Sequence, residues 1–310
     1  MTRRVAGGGE SVPPPVSLTA PAKESPDDGG WSPDQIDSFS QVVLDYYRAN
    51  RRSFPWRETA DPWRILVSEI MLQQTQTLRV LPKYERWFEL FPNMQSLADA
   101  SLVDVYAAWQ GLGYNNRAMR LREAARRLCT ESPGRVPDDE AALRALPGIG
   151  RYTAGAVLAF AWNQPTVILE TNIRSALIFH FFPDQPRVTD SALLPLAAAA
   201  LDAAIDRGCP PRDWYYALMD YGVFIKKMEV NPTRRSQAYS KPTAFHGSLR
   251  QARGAVLASL RIAGATDLAT LARQTDLTAP ADYQRLETAV AALVAEGLLR
   301  YHGQRLTFAD

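Results

Sequence analysis

From about residue 33 to residue 228, apolar positions recur at steps of three and four, and strand-like alternation is almost absent. With Pro and Gly as punctuation, the pattern predicts helices over 33–49, 62–74, 79–91, 95–99, 102–110, 116–131, 139–145, 151–163, 171–182, 191–207 and 212–226. The second of these begins as a helix should, with Asp61 able to accept from the first free N–H groups and Pro62 at the first helical position. Ile65, Leu66, Ile70 and Leu72 give it an apolar surface, and Glu69, four residues after Ile65, shares that surface. A carboxylate among apolar side chains is costly unless paired or protonated. Burial would raise its pKa and leave a proton available near neutral pH. A Glu69 that faces solvent is the other reading of the same spacing.

Residues 1–30 hold four prolines before residue 23 among Gly, Ser and charged residues, the composition of a disordered tail. The domain expected over 31–228 is followed by an irregular basic linker, 229–247, and a small module, 248–310. In the module, a helix over 248–262 precedes one over 266–274, with Thr266 as its N-cap, and an amphipathic helix over 281–296 stopped by Gly297. Two short strands around Gly303 then close a three-helix-plus-hairpin pattern, winged-helix-like. Its balanced charge suits a protein-contact module as well as a DNA reader. The expected fold class is all-α with this appended module.

Composition narrows the chemistry. Hydrophobic residues at 46% exclude wholesale disorder, and 35 basic against 33 acidic residues leave nucleic-acid binding to charge distribution. Cys129 and Cys209, the two cysteines, cannot build a four-thiolate cluster. His180, His246 and His302 show no metal spacing, so no metal ligands are assigned. No apolar run has the length of a membrane span, and Arg3 and Arg4 are not followed by a signal-peptide core, so a cytoplasmic protein is expected.

Four segments carry candidate chemistry. Directly after the Glu69 helix, Gln73, Gln74 and Thr75 offer three side chains able to bond with base edges. A buried acid one turn before such a segment points to an enzyme acting on a nucleobase. Leu146-Pro147-Gly148-Ile149-Gly150 lies between two helices. Gly148 and Gly150 allow positive φ, and the exposed amides at the start of the next helix suit phosphate. With Arg151 and small residues following, it reads as a helix-hairpin-helix element that grips a DNA strand without reading sequence. Glu170 ends an apolar run where a helix begins, and the helix dipole should favour its ionised form. Two carboxyls in opposite environments suit N-glycosidic cleavage, although Glu170 could simply cap its helix. Finally, Arg117, Arg120, Arg122, Arg126 and Arg127 follow the turn Gly111-Leu112-Gly113-Tyr114, and Lys226, Lys227, Arg234, Arg235 and Lys241 form a second basic run, both placed for DNA phosphates.

These residues coincide with a known pattern. Pro55-Trp56-Arg57, Ser68 to Gln76, Gly111 to Tyr114, Leu146 to Gly150 and Ala217-Leu218-Met219-Asp220-Tyr221-Gly222 resemble the helix-hairpin-helix base-excision DNA glycosylases, most of all the adenine-specific branch. The resemblance implies two helical subdomains, with Glu69 as the general acid and Gln73, Gln74 and Thr75 in the helix where a base is flipped out. Tyr152 and Asn172 would then lie against the sugar or the catalytic groups, Glu170 would be the second carboxylate, and Gly113, Tyr114, Arg117, Gly148, Gly150 and Arg151 would bind DNA. Members that form a Schiff base use a lysine where this chain has Tyr152, so hydrolysis without strand scission is expected.

Three departures qualify it. The family usually has Asp where Glu170 stands, and one methylene moves the carboxylate by roughly an ångström. It generally carries a four-cysteine iron–sulfur cluster after the Met-Asp-x-Gly segment, where Ile225 to Arg235 hold no cysteine, so no cofactor is expected. The 248–310 module does not resemble the domain that reads 8-oxoguanine in the adenine enzymes. The expected activity is removal of a mispaired or damaged base from duplex DNA, adenine in a mismatch first. Uracil, hypoxanthine and 5-hydroxymethyluracil are alternative bases, a lyase is an alternative enzyme, and a non-catalytic DNA-binding or regulatory protein is an alternative class. A monomer at the nucleoid, handing abasic sites to downstream repair enzymes, completes the expectation.

Overall fold

The computed structural model describes residues 30–132, 134–228, 231–241 and 244–309. The disordered tail expected over 1–30 therefore lies outside the described residues, save Gly30. Eleven helices fall where the apolar pattern places them: α1 (Pro33–Asn50), α2 (Pro62–Leu72), α3 (Thr77–Leu90), α4 (Met94–Asp99), α5 (Leu102–Trp109), α6 (Asn116–Glu131), α7 (Glu140–Ala145), α8 (Arg151–Trp162), α9 (Thr171–Phe181), α10 (Asp190–Asp206) and α11 (Pro211–Met228). Their starts follow capping chemistry. Ser32, Asp61, Asn93, Ser101, Asp139 and Thr189 each accept from an amide of the first turn.

The chain divides into two compact units, which do not follow the linear boundaries 31–228, 229–247 and 248–310. One unit joins the described residues up to Arg51 to Leu169–Cys209 and Asp213–Ala238. In it α1 packs on α10, and α9 packs on a 3-10 turn, Pro232–Arg235. That turn lies inside the stretch read as an irregular linker, yet Thr233 and Ser236 are buried, and the Thr233 hydroxyl donates to the Thr171 carbonyl at 3.2 Å. The core is aromatic. Phe39 meets His180, Phe181 and Trp214 edge-on, and His180 Nε2 lies 2.7 Å from the Tyr221 hydroxyl.

The other unit holds Arg52–Ile168, Pro210–Arg212 and Tyr239–Asp310. Here α2 packs on α8 and α4 on α6. Helix α2 is buried around its whole circumference from Trp63 to Met71 except Arg64, not on one face as its spacing implied. Gly155 lets α8 come close to the following strand-like segment, because a Cβ there would sit 2.7 Å from the Ile168 side chain. The last residues form α12 (Leu249–Ala263), β1 (Thr266–Asp267), α13 (Leu268–Thr275), α14 (Pro280–Ala295), β2 (Leu299–His302) and β3 (Arg305–Phe308). The strands make an antiparallel sheet of order β1-β3-β2, with Thr266 opposite Leu306 and Tyr301 opposite Leu306 on its other side. Thr266 is thus a strand residue, and Asp267 caps α13 instead, its carboxylate accepting from the Thr270 amide at 2.8 Å. The module shares a core with α5, where Leu102 and Tyr106 join Val256, Leu260, Leu286 and Phe308.

The buried histidine makes stability depend on pH. Burial lowers His180 from its ordinary 6.5 to about 4. Between those values the unfolded chain binds more protons than the native one, so stability must fall as pH drops through that window, by up to about 3 kcal/mol. Urea unfolding at several pH values should show this slope in the wild type. A His180→Gln variant should lose most of it, and an unchanged slope in the variant would assign the effect to other groups.

Candidate active site

Gln73, Gln74 and Thr75 follow the C-terminal end of α2, and a helix end leaves its last carbonyls without partners. Arg117 of α6 supplies them. Its Nη1 donates to the carbonyls of Ile70 (2.7 Å), Met71 (3.1 Å) and Gln73 (2.6 Å). Its Nη2 donates to Thr75 Oγ1 (3.1 Å) and to the carbonyls of Leu112 (3.1 Å) and Gly113 (3.0 Å). One guanidinium therefore ties the turn after α2 to the Gly111–Tyr114 loop. Arg117 is buried between the rings of Trp109 and Tyr114, and burial pushes its pKa down to about 10, which still leaves it charged at neutral pH. Its assignment as a residue facing DNA is corrected: its donors are spent inside the protein.

Around this hub the turn is unusual. Gln74 and Tyr114 both adopt left-handed backbone, at φ 54° and 46°, a conformation that costs side-chain-bearing residues energy. Gln74 is exposed, whereas Gln73 reaches back to donate to Thr153 Oγ1 at 3.1 Å. Tyr114 also meets the appended module, accepting from Arg250 Nη1 through its hydroxyl at 2.7 Å.

Glu69 is buried, at 7% exposure, and Tyr152 of α8 donates its hydroxyl to Glu69 Oε2 at 3.3 Å. The acid and the tyrosine, 83 residues apart in sequence, thus meet because α2 packs on α8. Glu170, in the other unit, caps α9. Its Oε1 accepts from the amides of Asn172 (2.6 Å) and Ile173 (2.8 Å), and its Oε2 from the Asn172 side-chain amide (3.1 Å). The capping reading of its position holds, and the carboxylate sits in a polar cluster. Its ionisation differs from expectation. Desolvation raises its pKa above the ordinary value, although the Ile173 amide, the Lys226 ammonium, the Asn172 amide and the Arg174 guanidinium each pull it down.

At the hairpin, Gly148 has φ 81° and a Cβ there would sit 2.9 Å from Arg120 Cβ, so this position needs glycine. Gly150 does not use positive φ. It caps α8 with φ −90°, and Arg151 stands exposed at the helix start. Part of the two basic runs is committed inward. Arg122 is buried, Arg126 donates to the Ala98 carbonyl and Arg127 to the Ala145 carbonyl. In the second run, Arg235 holds the carbonyls of Phe182, Pro183 and Gln185, and Lys226 Nζ donates to Asn172 Oδ1 at 2.7 Å. Arg120, Arg126, Arg127, Lys227, Arg234 and Lys241 remain exposed. Lys226 was read only as part of a basic run, and Thr153 and Arg250 were not singled out, because nothing in the sequence links them to their partners 54, 80 and 136 residues away.

Comparison with known proteins agrees with this geometry. Residues 67–196 match the family described as HhH-GPD superfamily base excision DNA repair protein. The adenine DNA glycosylase of Mycobacterium tuberculosis (strain ATCC 25618 / H37Rv) is 33% identical over 282 residues, covering 83% of this chain and 88% of that protein. That of Mycolicibacterium smegmatis is 34% identical over 275 residues, covering 83% and 91%. Among solved structures, a thermostable thymine-DNA glycosylase superposes with a TM-score of 0.52 at 26% identity, over 61% of this chain and 86% of that one. The chain belongs to the HhH-GPD superfamily of base excision DNA repair proteins. It is a DNA N-glycosylase, and its macromolecular partner is DNA.

The residues present do not fit the iron–sulfur cluster general in this family. The chain has two cysteines where four are needed, and burial raises both thiols, Cys209 to about 11, whereas metal ligation needs thiolates. Among the described residues no group of three or more His, Cys, Asp or Glu side chains could hold a metal ion.

Replacing Arg117 by Ala would remove the guanidinium that the carbonyls of Ile70 and Met71 share and would leave those of Gln73, Leu112 and Gly113 to Thr75 Oγ1 and Trp109 Nε1. The expected loss is about 3 kcal/mol or more of unfolding free energy. Base release should fall with it, since the turn and the loop would no longer be joined. Denaturant unfolding of Arg117→Ala measures the first, and a loss below about 1 kcal/mol would show that the hub is dispensable.

Proposed function

We propose that the protein excises adenine from mispaired duplex DNA by hydrolysis and without cutting the strand. The observation that carries the reading is the buried Glu69, joined to the Tyr152 hydroxyl one turn before Gln73–Thr75, in a chain whose relatives are adenine DNA glycosylases. In this reading the exposed Gln74 enters the duplex beside the flipped base, and the Gly148 hairpin with Arg151 holds the phosphodiester backbone. Glu69 delivers a proton to a ring nitrogen of the adenine. The C1′–N bond then breaks, its electron pair leaving with the base, and positive charge develops on the sugar. Glu170 stabilises that charge and directs water to C1′, so the products are free adenine and an abasic site. Tyr152 keeps the acid in one orientation and stands where a Schiff-base enzyme would need an amine.

Glu170 in place of the family's usual Asp favours a second reading, the same chemistry on uracil, hypoxanthine or 5-hydroxymethyluracil. No helix among the described residues is long and apolar enough to cross a membrane. Work at the nucleoid as a monomer, with abasic-site repair enzymes downstream and no cofactor, belongs to the same proposal.

The test is single-turnover release of adenine from an 8-oxoguanine-paired duplex, with alkali to reveal abasic sites. Glu69→Gln should abolish release while DNA affinity stays within about twofold. Borohydride should trap no covalent adduct with the wild type. Release persisting in Glu69→Gln would remove the acid from the mechanism. A trapped adduct would make the enzyme a lyase.

A further inference from the structure

Two residues of α11, one turn apart, press on the same point of α9. At Gly222 a Cβ would sit 2.1 Å from the Asn172 carbonyl oxygen, so only glycine lets the helices come this close. Four residues later, on the same face of α11, Lys226 Nζ donates to Asn172 Oδ1 at 2.7 Å. The Asn172 amide turns its other end to Glu170, where Nδ2 donates to Oε2 at 3.1 Å. This orientation follows from the partners. An ammonium can only donate and an ionised carboxylate can only accept, so the amide oxygen must face Lys226 and the amide nitrogen Glu170. The ammonium thus reaches the carboxylate through the amide and, at longer range, by its charge.

We propose that Lys226 is a positioning residue for base excision, setting the Asn172 amide and through it the Glu170 carboxylate. The proposal rests on the reading of Glu170 as the second carboxylate of the reaction. Without Lys226 the amide keeps only its bond to Glu170, and its oxygen loses the donor that fixes it from the other side. The nearby positive charge also favours the ionised form of a carboxyl that burial disfavours, and that form is the one that stabilises a cationic sugar. The other groups facing Glu170 are the Asn172 and Ile173 amides and the Arg174 guanidinium. Arg174 is already held by Asp190 through two bonds, at 2.9 and 2.7 Å. Lys226 is thus the cation whose bonding is directed at the Glu170–Asn172 pair. This assigns it a role apart from the basic run that its sequence position suggested.

The experiment compares wild type, Lys226→Met, Lys226→Arg and Glu170→Gln in single-turnover adenine release at saturating enzyme, across about pH 5 to 8, with DNA affinity and thermal unfolding measured in parallel. Lys226→Met should slow release by about tenfold or more and move the acid limb of the pH profile to higher pH, because losing the ammonium raises the Glu170 pKa. Its DNA affinity should not change, and Lys226→Arg should recover most of the rate. If Lys226→Met does not fold, Lys226→Gln, which keeps a donor and loses the charge, should show the same displacement of the acid limb. A wild-type rate and profile in Lys226→Met beside an inactive Glu170→Gln would overturn the proposal alone. So would a loss that disappears at saturating enzyme, or one equally large in Lys226→Arg. Full activity in Glu170→Gln would overturn the reading of Glu170 and this proposal with it.

Discussion

The buried guanidinium of Arg117 is the constraint on which the turn after α2 and the Gly111–Tyr114 loop depend. Helix α2 must stop at Leu72 for Gln73, Gln74 and Thr75 to leave the helical path, and a stopped helix strands its last carbonyls in a dry interior. Arg117 satisfies those of Ile70, Met71 and Gln73 and, with its other amino group, those of Leu112 and Gly113. A lysine could not do this, because a point charge with three donors cannot span two groups of acceptors in a plane. The left-handed Gln74 and Tyr114 flank this hub, and their strain is tolerable because the backbone on either side is fixed by it.

The second constraint is close approach. Gly222 admits the Asn172 backbone, and Gly155 admits the Ile168 side chain, where any larger residue would collide. These contacts set where each unit presents its carboxyl. Glu69 is placed by α2 against α8, and Glu170 by the cap of α9 against α11. The environments are unlike: Glu69 is buried on an apolar helix and meets a phenol, whereas Glu170 sits among amide donors and an ammonium.

Most of the fold was legible because helix periodicity and caps are local. The eleven helices before residue 229, the short strands around Gly303 and the capping role of Asp61 all follow from neighbours within a turn or two. What was misread depends on distant partners. Arg117, Arg122 and Arg235 look like surface cations in sequence and prove to be internal donors, since nothing local distinguishes an arginine facing phosphate from one facing carbonyls. Thr266 looked like a cap until β3 paired with it, and Asp267 took the role. Gly150 looked equivalent to Gly148, yet only Gly148 needs the left-handed backbone. The acid Glu69 was legible from its spacing, but its tyrosine partner lies 83 residues away and became visible only through the packing of α2 on α8.

The central claim is that this chain removes adenine from a mispair. The most direct measurement is single-turnover base release on a panel of duplexes carrying adenine opposite 8-oxoguanine or guanine, and uracil, thymine, hypoxanthine or 5-hydroxymethyluracil in several pairings. Release from the adenine pairs is expected, which would mean that Glu170 performs the work of the family's usual aspartate. Release of a different base with adenine untouched would contradict it and would make the extra methylene of Glu170 the mark of a changed pocket.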